Sequence, residues 1–138
     1  MPASYCAYVQ GSFVTTGDNL AIEIDAAANV TLKIKRIRIM HNDGTATASS
    51  DYYHRIKLIT ESAGGTGGSS FTPIPINSNS TASTATVKTG LTAVGTIDKT
   101  IDTMSIHNTT DFEWKALDED DKITIKPGSL FGIVVKPS

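Results

Sequence analysis

At 138 residues the chain is long enough for one hydrophobic core without metal or disulfide staples, and a single domain spanning 1–138 is expected. Only 39% of it is hydrophobic and roughly a quarter is Ser or Thr, which suits exposed strand faces and turns and serves an amphipathic helix badly. A net charge of -2 excludes a global pull toward nucleic acid or an anionic membrane, and no run approaches the ~18 apolar residues of a membrane helix.

The first stretch, "MPASYCAYVQ", lacks the charged start and apolar run of a secretory signal, so synthesis in a cytoplasm without Sec export is expected. Its Cys6 is the only cysteine, which rules out an intrachain disulfide and a Cys-based zinc site. Two readings of Cys6 stand: a small apolar residue near a first strand, or a reactive thiol.

In "DNLAIEIDAAANV", Leu20, Ile22 and Ile24 alternate, which predicts a short strand running into a turn. The next stretch, "VTLKIKRIRIMHNDG", is apolar on even positions through Val30, Leu32 and Ile34, then on odd ones at Ile37 and Ile39. A strand shows one face at period two, so this change of phase near Lys35-Arg36 predicts a β-bulge. It leaves Lys33, Lys35, Arg36 and Arg38 facing outward. Asp43-Gly44 closes the strand as a turn pair that tolerates positive φ.

"DYYHRIKLITE" reads as a strand with His54, Ile56 and Leu58 on one face and Tyr53, Arg55 and Lys57 on the other. "SAGGTGGSS" reads as a flexible loop too rich in glycine for a regular element, and it lacks the Lys-Ser/Thr of a phosphate cradle. The alternating prolines of "FTPIPI" place that segment at a sheet edge. "NSNSTASTATVKTGL" carries a turn into an alternating Ala-Val strand, and "TIDKTIDTMSIHNTTDFEWKAL" supplies one or two more strands. Phe112 and Trp114, two residues apart, are expected on one face. The acidic "DEDD" at Asp118 to Asp121 precedes the closing pair "ITIKPGSLFGIVVKPS". Pro127-Gly128 has the signature of a type II turn. "SLFGIVV" is apolar almost throughout, as a strand covered on both sides would be, by the core and by a neighbouring subunit. Leu130 and Ile133 are its candidate partner-binding residues. The expected fold is therefore an all-β sandwich or jelly roll of about 7–9 antiparallel strands.

Residues for chemistry are sparse. His41, His54 and His107 are too scattered for a local ligand motif, although one His per subunit on a threefold axis is a possible metal arrangement. "DEDD" offers hard oxygens for calcium but lacks the calcium-loop spacing, and the alternative is a solvated turn. No "GxSxG" elbow is present. Sequons at Asn29, Asn79 and Asn108 match chance in a chain so rich in Ser and Thr. The basic row Lys33, Lys35, Arg36 and Arg38 reads as a solvated strand face, a docking face for an acidic protein surface, or a nucleic-acid contact; for the last it lacks interleaved aromatics.

Taken together, "TLKIKRIRIMHNDGTATA", the glycine-rich stretch with "TPIPI", "TASTATVKTG", "FEWKAL" and "IKPGSLFGIVV" resemble the small jelly-roll capsid decoration (cement) proteins of tailed bacteriophages. The resemblance is one of pattern along nearly the full length. It implies a structural virion protein without enzymatic activity or cofactor, made in the host bacterial cytoplasm. Such a protein sits as a homotrimer on the outer surface of the capsid and braces contacts of the major capsid protein, without direct nucleic-acid or membrane binding. Two other classes remain: a carbohydrate- or receptor-binding module of a phage fibre tip, with Tyr52, Tyr53 and Trp114 as candidate exposed aromatics whose alternative reading is core, and a cupin-type enzyme, whose closely spaced His pair is missing.

Overall fold

The computed structural model describes residues 4–9, 17–40, 53–107 and 111–137. His41, Asp43-Gly44, Tyr52 and Asn108 lie outside them. Among the described residues there is no helix, and twelve antiparallel strand segments build a sandwich of unequal layers. The large layer is a six-stranded sheet. Its strands, from edge to edge, are β6 (Thr66–Phe71), β8 (Thr86–Ala93), β2 (Asn19–Asp25), β12 (Leu130–Pro137), β5 (Tyr53–Ala63) and β9 (Thr96–His107). Twelve segments arise where about 7–9 are expected because bulges and insertions cut longer runs into short pieces.

The closing strand occupies the middle of this sheet. β12 pairs with β2 on one side and β5 on the other, so both of its hydrogen-bonding edges are filled. Phe131, Ile133 and Val135 join Ile56, Leu58 and Ile106 in the main core, whereas Val134 turns to the opposite face with Leu20, Ile59 and Leu91. Within this one chain the apolar run of β12 already has packing on both sides, with Leu130 and Ile133 half-buried. The alternation of β2 breaks where Ile22 pairs with Ile133 and Leu20 with Val134, leaving Ala21 as an extra residue. That bulge sends Leu20 to the second face, away from Ile24.

The opposing layer is a long antiparallel ribbon. β3 (Leu32–Ile34) pairs with β11 (Ile123–Ile125), and β4 (Arg36–Ile39) pairs with β10 (Phe112–Lys115). Lys35 separates β3 from β4, opposite a seven-residue insertion from Ala116 to Lys122, and its carbonyl accepts the Ala116 N–H at 2.9 Å. The expected bulge is therefore present, and its effect is the expected one. Leu32, Ile34, Ile37 and Ile39 all pack on the core while Lys33, Lys35, Arg36 and Arg38 are exposed. Phe112 and Trp114 share the inward face, half-buried against the same core.

The glycine-rich stretch departs from expectation. Rather than a loop, residues 62–70 finish β5, turn at Gly64-Gly65 and form most of β6, which pairs with β8. A ladder needs only backbone N–H and C=O groups, so small side chains do not prevent it. Gly68 shows why glycine is required: its φ is +80° and a Cβ would stand 2.5 Å from the Thr89 carbonyl oxygen. A last ribbon joins β1 (Tyr5–Cys6) to β7 (Ile74–Pro75), which puts the alternating prolines at an edge as expected. The Pro127-Gly128 turn is also as expected: Gly128 has φ +75° and Ser129 N–H donates to the Lys126 carbonyl at 3.1 Å.

These packing relations set a stability contrast. Phe131 is 1% exposed in the central strand, so Phe131→Ala should cost roughly 3–5 kcal/mol in a urea titration. Tyr8, 65% exposed, should tolerate Ala to within about 0.5 kcal/mol. Similar losses in the two variants would contradict the central placement of β12.

Candidate functional site

The outward face of the ribbon carries all four residues of the basic row, and the structure divides them into two kinds. Lys33 is neutralised within the chain: its Nζ lies 2.5 Å from Glu119 Oε1 in the acidic insertion. Lys122 contacts the other oxygen of the same carboxylate. These two ammonium groups, Lys122 first and Lys33 second, pull the Glu119 carboxyl down to about 2. The insertion is itself a closed turn, because Asp118 Oδ1 accepts the N–H groups of Asp120 at 2.9 Å and Asp121 at 3.2 Å. Arg38 is also compensated: it stands opposite Glu113 in the β4–β10 ladder, with Nε 3.6 Å from Oε2.

Arg36 has no such neighbour among the described residues. Its cross-strand partner is Lys115, another exposed cation, and beside it Lys35 reaches only the Ser4 hydroxyl at 3.4 Å. Like charges directly opposite in a ladder destabilise the sheet. Lys35, Arg36 and Lys115 therefore form a cationic patch on the outer face of the ribbon that no carboxylate among the described residues compensates. Sequence alone reveals two members of this patch, Lys35 and Arg36, but misses Lys115, because cross-strand register joins it to Arg36 across a span of nearly eighty positions.

Ser4 connects this patch to apolar surface. Its carbonyl accepts the Ile76 N–H at 2.9 Å, and Cys6 pairs with Ile74 in the adjoining ribbon. Ile74, Ile76, Tyr8 and Cys6 are all exposed. Leu130 and Ile133 take no part in this surface: both are half-buried in the central strand, and Ile133 packs on the main core.

A concavity of about 480 Å³ is lined by residues of β5, β9 and the ribbon. Trp114 lies in it with Ile101, Asp98, Lys99, Lys122 and Lys126. Of the other aromatics considered for such a role, Tyr53 lies on β5, where it meets His107 edge-on at 5.3 Å. His54 is half-buried one position further along β5.

The juxtaposition of Arg36 and Lys115 leads to an expected gain. Lys115→Glu should raise stability by about 0.2–1 kcal/mol, since it replaces a repulsive cross-strand pair by an attractive one. Chemical denaturation at low salt checks this, and a loss of stability would place the two cations elsewhere. No protein-family model, no curated protein and no solved structure shows significant similarity to this chain. The role of the ribbon face therefore rests on its own chemistry.

Proposed function

We propose that the protein is a non-enzymatic structural component of a phage particle, a capsid decoration protein that docks on the outside of the head through the cationic face of its ribbon. The observation that carries this reading is the unpaired Arg36–Lys115 juxtaposition flanked by Lys35. A repulsive pair retained on an exposed strand face is accounted for by an anionic partner that neutralises it on binding. The exposed apolar side chain of Ile76 is joined to the patch through Ser4, with exposed Ile74 on the same ribbon, and these supply the desolvating part of such a contact. The jelly-roll assignment, the homotrimer and the major capsid protein as partner belong to the same proposal. A sandwich whose last strand locks its middle suits a clip that must resist pressure without moving parts. Repetition over a symmetric shell lets each contact contribute only a few kcal/mol.

A second reading has its own observation. The groove at Trp114 combines an aromatic face with carboxylate and ammonium groups, the chemistry of a sugar site. In that case the chain is the receptor-binding module of a fibre tip.

Exposed charges set the rate and salt dependence of association, and buried apolar contacts set the dissociation rate. Lys35→Ala/Arg36→Ala protein should therefore bind undecorated heads more slowly and with a flatter salt response, while bound protein is nearly as long-lived. The Lys33→Ala variant, whose cation is already paired with Glu119, should change association much less. A time course at low and high ionic strength measures both. Unchanged association in the double variant returns the patch to a solvated strand face, and binding lost only on Trp114→Ala favours the sugar reading.

A further inference from the structure

On the sheet face remote from the ribbon, two carboxylates are almost completely enclosed. Glu23 of β2 is 1% exposed and Glu61 of β5 is 2% exposed. They flank β12 at Gly132, which pairs with Glu23, and Leu130, which pairs with Glu61. Each carboxylate has one backbone donor. Glu23 Oε2 accepts the N–H of Gly65, in the turn between β5 and β6, at 2.8 Å. Glu61 Oε2 accepts the N–H of Gly95, in the turn between β8 and β9, at 2.9 Å. The remaining oxygens, Glu23 Oε1 and Glu61 Oε1, are buried without a hydrogen-bond partner among the described residues. Three glycines make the enclosure. A Cβ would stand 3.1 Å from Glu23 Oε1 at Gly64, 2.5 Å from Glu61 Oε2 at Gly95 and 3.0 Å from Glu61 Oε1 at Gly132.

Two ionised carboxylates in such a site would face each other as acceptors with no donor between them, and both charges would lack compensation. One proton removes both faults, because the protonated carboxyl donates to its neighbour and a single negative charge remains. We propose that Glu23 and Glu61 share one proton, and that this carboxyl–carboxylate pair is a pH-sensitive latch tying the β5–β6 and β8–β9 turns together across β12.

Charged groups stand nearby, but none forms an ion pair with either glutamate among the described residues. Lys88 of β8 is opposite Glu23 and Lys57 lies along β5, while Asp25, Asp98 and Lys99 are the other charged groups near the pair on β2 and β9. Strand β6 and the segment of β12 beside the pair carry no charged residue. Burial foremost, then the hydrogen bond to Glu23 and its charge, push the Glu61 carboxyl up from 4.5 to about 8, against a lowering by the Gly95 N–H. The proton belongs to the pair rather than to either residue.

The sign of the effect follows from proton counting. Between pH 4.5 and about 8 the folded chain holds a proton that the unfolded chain has released. Stability from the latch is therefore complete below 4.5, declines as pH rises through this window, and is gone above about 8.

The test uses the full chain, with unfolding followed from pH 5 to 9. The unfolding constant of the wild type should rise with pH by up to about tenfold per unit, the limit for one linked proton. Glu61→Gln keeps an acceptor for Gly95 and places an amide donor toward Glu23. That variant should lose this slope and be the more stable protein at pH 8.5. Exchange of the Gly65 and Gly95 amides should accelerate beyond the intrinsic base dependence in the wild type alone. Carboxyl carbon shifts of Glu23 and Glu61 in the wild type decide the matter even if the variant fails to fold. A pair titrating near 4.5, or equal pH slopes in wild type and variant, overturns the proposal. So does a rise in melting temperature with added calcium at pH 9 that EDTA reverses, since a bridging cation would then replace the proton.

Discussion

The burial of β12 between β2 and β5 is the constraint on which the rest of the molecule depends. Both of its ladders are filled, and both of its faces are covered. The sheet therefore cannot close until the chain through β12 is available. Its ladder partners begin more than a hundred and about eighty positions earlier, which makes the topology non-local and folding correspondingly slow. One residue of β12 has a special duty. Gly132 sits where Leu20, Ile59 and Glu61 converge, and a Cβ there would stand 2.8 Å from Leu20 Cδ1. The absence of a side chain lets the second face close over the strand and brings the two buried glutamates within reach of each other.

The ribbon answers a different requirement, that of presenting charge without losing the core. Had the phase of its alternation not shifted at Lys35, Ile37 and Ile39 would point to solvent and Arg36 and Arg38 into the sandwich. The insertion of Ala116 to Lys122 absorbs the shift on the opposite strand and folds its acidic turn back toward Lys33. Compensation of Lys33 and Arg38 but not of Arg36 then follows from register. The net result is a charge asymmetry that the composition, with its formal -2, conceals.

Much of this was legible in the sequence because it rests on period and turn chemistry. The alternation of Ile56 and Leu58, the phase shift at Lys35-Arg36, the shared face of Phe112 and Trp114, and the Pro127-Gly128 turn are all local signals. Two features were not legible. The segment around Gly67 and Gly68 carries no side-chain signal, so its place in the sheet depends on the ladder offered by β8. Glu23 and Glu61 occupy polar positions of alternating strands, which points outward in a sandwich with one core. That second face is covered by turns from elsewhere in the chain, and only topology reveals it. The double-sided apolarity of "SLFGIVV" was a true signal, and on the second face Val134 packs with Leu20, Ile59 and Leu91 of the same chain.

The central functional claim is that the face around Lys35, Arg36 and Lys115 meets carboxylates on a particle surface. Zero-length carbodiimide cross-linking of decorated heads, followed by peptide mapping, tests it most directly, because it joins only amines and carboxylates in contact. The Lys33–Glu119 pair within the chain provides an internal control for the chemistry. The account predicts additional links from Lys35 and Lys115 to acidic residues of the capsid protein. Links from the capsid to residues around the Trp114 groove, with Lys35 and Lys115 unmodified and free, would contradict it.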